Sequence, residues 1–74
     1  MCPLISASSG EKFLIKNIHG GKKLREKLFN LGLKEGVKCE IVTGASHGGV
    51  IVKKDNCKVG LGCGMASKIY GEII

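Results

Sequence analysis

The sequence predicts a mostly β domain: a small barrel of about five short strands, with one α-helix between the first and second strands and a short helical turn before the last. Three observations predict it. Residues 50–61 align as a hairpin across Asp55-Asn56, which pairs Lys54 with Cys57, Val52 with Val59 and Val50 with Leu61, so that one face is nearly all apolar. Leu24, Leu28 and Leu31 stand at i, i+4, i+7, the spacing of one helical face. Two glycines, Gly32 and Gly36, separate that helix from the alternating strand "VKCEIVT". Short strands at close spacing with tight turns favour closure, because closure removes exposed strand edges.

Taken in order, residues 1–9 read as a loose start, and the core as about 10–74 of a single domain spanning 1–74. The stretch "GEKFLIKNI" (10–18) reads as a strand whose alternation slips, with Phe13 and Ile15 in one phase and Leu14 and Ile18 in the other. A bulge near Lys16 reconciles the two phases. "HGG" (19–21) is a turn, and the helix runs from about Lys22 to Leu31. On a helical wheel its three leucines fall within a wedge of about 60°, which must face the core. Gly32 stands where a left-handed C-terminal cap belongs, letting Leu33 fold back onto the last turn. "KEG" (34–36) is a tight turn in which Gly36 takes positive φ cheaply. The strand from Val37 to Thr43 turns Val37, Cys39 and Ile41 to one side. "GASHGG" (44–49) reads as a hairpin loop, "VIVKK" and "CKVGL" as the next two strands, "GCGMASKI" as one helical turn and "YGEII" as the closing strand.

Seventy-four residues with a net charge of +6 bound the function. A chain this short buries about 60–65% of its unfolded surface, and its net stability is roughly 4–11 kcal/mol. That leaves little for a deep catalytic cavity, so a binding module is expected rather than an enzyme. The basic balance favours anionic partners. Arg25 is the only arginine, whereas phosphate and base recognition usually recruits more. "MCPLISASSG" has no basic leader or long apolar run, and no stretch approaches the roughly 20 apolar residues of a membrane span. The expectation is a cytoplasmic chain with reduced thiols.

No nucleophile motif, phosphate loop or paired catalytic carboxylates are present; "GLGCG" (60–64) reads as a bend. The four cysteines include no C-x-x-C pair, which argues against a structural zinc site. Cys39 and Cys57 fall on the inferred core faces, while Cys63 and Cys2 are expected to be accessible. His19, His47 and Cys63, with Cys2, are the candidate metal ligands, but the sequence does not gather them, and no cofactor beyond weak Fe(II) or Zn(II) binding is expected. The outer helix face is more informative. Lys22, Arg25 and Phe29 project together away from the leucines, and an exposed phenylalanine among basic residues has the composition of a docking patch. The alternative is that Phe29 tucks under the 44–49 loop. A basic barrel that binds nucleic acid is a further reading, against which stand only three aromatic residues, and a direct transition-metal carrier or sensor using His19, His47, Cys63 or Cys2 is another.

"LREKLFNLGLKEGVKCEIV" (24–42) resembles the signature of the ferrous-iron transport protein A (FeoA) family. Leu24, Arg25, Leu28, Leu31, Gly32, Leu33 and Gly36 fill its helix, stop and turn. Leu61, Gly62, Ala66 and Ile69 fill its C-terminal "Leu-Gly … Ala-x-x-Ile" ending. Many members have proline before the turn glycine, where this chain has Glu35. The resemblance implies an SH3-like barrel. It also implies a small, non-enzymatic cytosolic accessory of ferrous-iron uptake, working with the membrane permease FeoB and its cytosolic GTP-binding domain. The cysteines are not part of the pattern, so no metal role follows from it.

Overall fold

The computed structural model describes residues 1–46 and 48–74. Six strands form one antiparallel sheet: β1 (Cys2–Pro3), β2 (Lys12–Ile18), β3 (Lys38–Ser46), β4 (Gly49–Lys54), β5 (Cys57–Gly62) and β6 (Ile69–Ile73), in the order β1-β6-β2-β3-β4-β5. Helix α1 (Lys22–Asn30) joins β2 to β3, and the one-turn helix α2 (Cys63–Ala66) joins β5 to β6. This is a mostly β, SH3-like domain with its helices at the positions the sequence predicts.

The hairpin behaves as read. Lys54 pairs with Cys57, Val52 with Val59 and Val50 with Leu61. Asp55 and Asn56 take φ of 50° and 68°, the doubly left-handed turn whose twist matches the flanking strands. Val50, Val52 and Leu61 are buried beneath it. The slip in β2 is also real: Ile15 opposes Gly71 and Asn17 opposes Tyr70, leaving Lys16 as the extra residue. That bulge lets Phe13 and Ile15 fill the core and then turns Ile18 inward as well.

At the end of α1, Gly32 at φ 85° donates its N–H to the Phe29 carbonyl (2.9 Å), and Leu33 donates to the Leu28 carbonyl (2.8 Å). This double bond pattern closes the helix and swings Leu33 into the core, where it is buried. The Val37 N–H then bonds the Lys34 carbonyl across Glu35 and Gly36, with Gly36 at φ 91°. Positive φ at the third position is the type II requirement, and it needs no proline at the second.

Four expectations need correction. Residues 2–7 are not loose: Cys2 and Pro3 pair with Gly71 and Tyr70, Leu4–Ser6 form a 3-10 turn, and Leu4 and Ala7 are buried. One buried leucine and a two-residue strand carry no periodicity, so only tertiary packing reveals them. The helix wedge is narrower than the wheel suggests. Leu28 is fully buried and Leu24 partly so, but Leu31 is 40% exposed, because Leu33 takes the place that Leu31 was expected to fill. Cys57 is exposed, since its pair with Lys54 lies at the hairpin tip, beyond the end of the core. Strand β3 continues through Ser46 with two register shifts, rather than ending at Thr43.

Between the edge strands β1 and β5 no ladder forms among the described residues. The barrel is closed there by side-chain packing. The 3-10 turn lies against β3 and β6, and α2 lies against β4, β5 and the 3-10 turn, burying Ala66. The Gly10 N–H bonds the Ile41 carbonyl (2.7 Å), and the Ile41 N–H bonds the Glu11 carbonyl (2.8 Å), tying the N-terminal segment to β3.

Candidate docking face on the helix

Helix α1 approaches the rest of the molecule at only a few points, and its seating rests on a small set of contacts. Leu28 plugs the core and Leu24 leans on it. Arg25 does the rest. Its guanidinium donates to the Ile18 carbonyl at the end of β2 (2.8 Å) and to Glu35 Oε1 in the turn after the helix (2.8 Å). One planar fork thus spans the residues before and after the helix, a geometry that lysine cannot reproduce. The side chains of Arg25 and Glu35 are both nearly half exposed, so solvent weakens the ionic part of the bond.

Outward of this strap lie the other two residues singled out in the sequence. Phe29 is 61% exposed and does not tuck under the 44–49 segment. The ammonium of Lys34 stands 5.6 Å from its ring centroid, within cation–π range. Lys22 faces Glu26 one turn on, at 4.0 Å. Lys22, Arg25, Glu26, Phe29 and Asn30 line an open depression of about 450 Å³. The three expected residues are therefore on one face, but in different roles: Phe29 and Lys22 are free to meet a partner, whereas Arg25 braces the fold. Glu26 and Lys34 were missed. The i, i+4 relation to Lys22 signals Glu26, whereas Lys34 lies beyond the glycine stop, where helical spacing no longer applies.

The candidate metal ligands are not drawn together. Exposed His19 packs edge-on against Tyr70, with centroids 4.7 Å apart, and its backbone N–H donates to the Lys68 carbonyl. Cys63 is half-buried at the start of α2, and Cys2 is half-buried in β1. His47 lies outside the described residues. Among the described residues no three His, Cys, Asp or Glu side chains form a cluster that could hold a metal ion. The aromatic residues are equally scattered: Phe13 is buried, Tyr70 leans on His19 and Phe29 stands on the helix.

Cys39 is buried, and burial pushes its thiol up from an ordinary 9.0 to about 11. Above pH 9 the unfolded chain therefore loses this proton while the folded chain keeps it, so Cys39 lowers stability as the pH rises from about 9 to 11 and has no pH effect below. In urea titrations, Cys39→Ala is expected to flatten the decline across that window relative to the parent. A thiol reagent at neutral pH should modify exposed Cys57 first and Cys39 last. Equal slopes for parent and variant, or early labelling of Cys39, would contradict the burial.

No helix among the described residues is long and apolar enough to cross a membrane. A family model described as the FeoA domain matches residues 2–73. The chain is 31% identical over 72 residues to an Fe(2+) transport protein A of Methanocaldococcus jannaschii, covering 97% of this chain and 87% of that protein. It superimposes on the crystal structure of an iron uptake regulatory protein (FeoA) with a TM-score of 0.88 and 27% identity, covering 99% of this chain and 96% of the other. It also superimposes on ScaR with a TM-score of 0.89, all of this chain matching 37% of that one; at 20% identity that likeness concerns the fold alone.

Proposed function

The chain belongs to the FeoA domain family and is by that membership a small ferrous-iron transport protein, and we propose that it acts without catalysis, as a cytosolic interaction module that docks on the GTP-binding part of the permease FeoB. The observation that carries the reading is Phe29: a large apolar ring, 61% exposed, on a helix face that is otherwise polar or charged. Burying it in a partner's pocket would remove apolar area from water, and aromatic anchors of this kind dominate interface energetics. Lys22 at the rim of the depression supplies charge for orientation. The strap through Arg25 holds the helix in place beforehand, so less ordering is required on binding.

Calorimetric titration of FeoB's cytosolic domain with Phe29→Asp is expected to show binding weaker by about 2 kcal/mol or more, the size of a hot-spot loss. The melting temperature should stay close to that of the parent, because Phe29 supports little of the fold. Unchanged affinity would remove this face from the interface. Absence of binding by the parent chain would remove the partner.

A further inference from the structure

We propose that the outer face of the sheet, carrying Lys12, Lys38, Lys53 and Lys58, is a contact surface for an anionic phospholipid bilayer, with Ile74 entering the headgroup region at its rim. The register sets out the face directly. The Ile74 N–H bonds the Lys12 carbonyl, Lys12 pairs with Glu40, Glu40 with Lys53, and Lys53 with Lys58. One side chain from the β6 end, β2, β3, β4 and β5 therefore falls on a single row, about 19 Å wide at ordinary strand spacing. Lys38 stands beside it, paired with Leu14. Among the described residues none of these four lysines is engaged in an ion pair, unlike Lys22, Arg25 and Lys54. Glu40 is the one carboxylate in the row.

The chemistry of the face selects the partner. Its cations are all lysine, opposed by Glu40 in the row and by Glu72 in the next one, across Leu14 from Lys38, and lysine is depleted at protein interfaces, where arginine and aromatics are favoured. It holds no aromatic ring on which a base could stack. Mobile ammonium groups on long stems suit a diffuse layer of phosphates, and each one near an anionic leaflet adds attraction. Ile74, 54% exposed at the Lys12 end of the row, supplies the second element of interfacial binding, an aliphatic group beside the basic ones. The surface is separate from the Phe29 face and stands whether or not α1 docks on FeoB.

The full chain is expected to co-sediment with phosphatidylcholine vesicles containing phosphatidylglycerol, and not with phosphatidylcholine alone. Raising the salt from about 0.1 M to 1 M, where the screening length drops from about 10 Å to 3 Å, should release it. Lys12→Glu with Lys53→Glu should weaken binding at least about tenfold. Lys38→Gln with Lys58→Gln should weaken it severalfold and serves if the reversal disturbs folding, which circular dichroism reports. Lys23→Glu with Lys27→Glu on α1 changes the net charge equally and should leave vesicle binding in place. Equal loss from the helix pair, equal binding to neutral vesicles, or retention on duplex oligonucleotide but not on vesicles would overturn the proposal.

Discussion

Gly71→Ala is expected to destabilise the protein by about 3 kcal/mol, the upper end for overpacking, and to lower its melting temperature by about 12–24 °C. Gly71 lies in β6 between two partners, Cys2 of β1 and Ile15 of β2. A Cβ there would overlap the Leu14 carbonyl oxygen and stand 2.8 Å from Phe13 Cε1. Neither neighbour can yield cheaply. The carbonyl is backbone in the middle of the ladder, and Phe13 is among the largest fully buried side chains. The crowding sits beside the bulge at Lys16, where Ile15 opposes Gly71 and Asn17 opposes Tyr70. Relief would require β2 and β6 to separate, and β1 reaches the sheet only through β6. Gly60→Ala is the control, since a Cβ there meets nothing within 4 Å. Differential scanning calorimetry on the two variants should show a large shift for the first and almost none for the second. Equal melting temperatures would mean that β2 and β6 are not packed this closely.

Gly71 also marks the limit of what the sequence makes legible. Its neighbours in "YGEII" read as a strand, and nothing local distinguishes a glycine needed for close approach from one that is merely tolerated. Gly60 in "CKVGLG" looks the same and has open space around it. Where the determinants are local, the sequence is explicit. The Asp55-Asn56 turn sets the register of twelve residues through backbone sign alone. Gly32 and Gly36 announce their left-handed φ because the helical pattern stops at one and the strand pattern starts after the other. Even the bulge at Lys16 is visible as a slip of phase. The misses share the opposite property. Leu4 is buried by strands dozens of residues away, and Cys57, on the inward phase of its strand, is exposed because the core stops short of the hairpin tip. The same holds at the candidate site. The exposure of Phe29 follows from the wheel. The role of Arg25 does not, because its two acceptors, Ile18 and Glu35, lie outside the helix on opposite sides.

Leu28→Ala should destabilise the protein by about 3–4 kcal/mol, whereas Leu31→Ala should stay within about 0.5 kcal/mol, although the two leucines share one wedge on the helical wheel. Leu28 is fully buried, and it is the only residue of α1 that is. Truncating it removes apolar contact and leaves a hole beneath the helix, in a domain whose whole stability is roughly 4–11 kcal/mol. Its backbone carbonyl would still accept from Leu33, so the helix stop would survive while its anchor was lost. Leu31 is the C-cap and faces solvent, having ceded the core to Leu33. Urea unfolding midpoints measure both effects, and similar losses would place Leu31 inside after all. The comparison also separates the helix's part in folding from the docking proposed for its outer face. Leu28→Ala acts on folding and should weaken the proposed FeoB docking only as far as it unseats α1. Phe29→Asp acts on the outer face and should leave the unfolding midpoint where it was. Adjacent residues with opposite signatures are what a helix requires if one side holds it to the barrel and the other is kept for a partner.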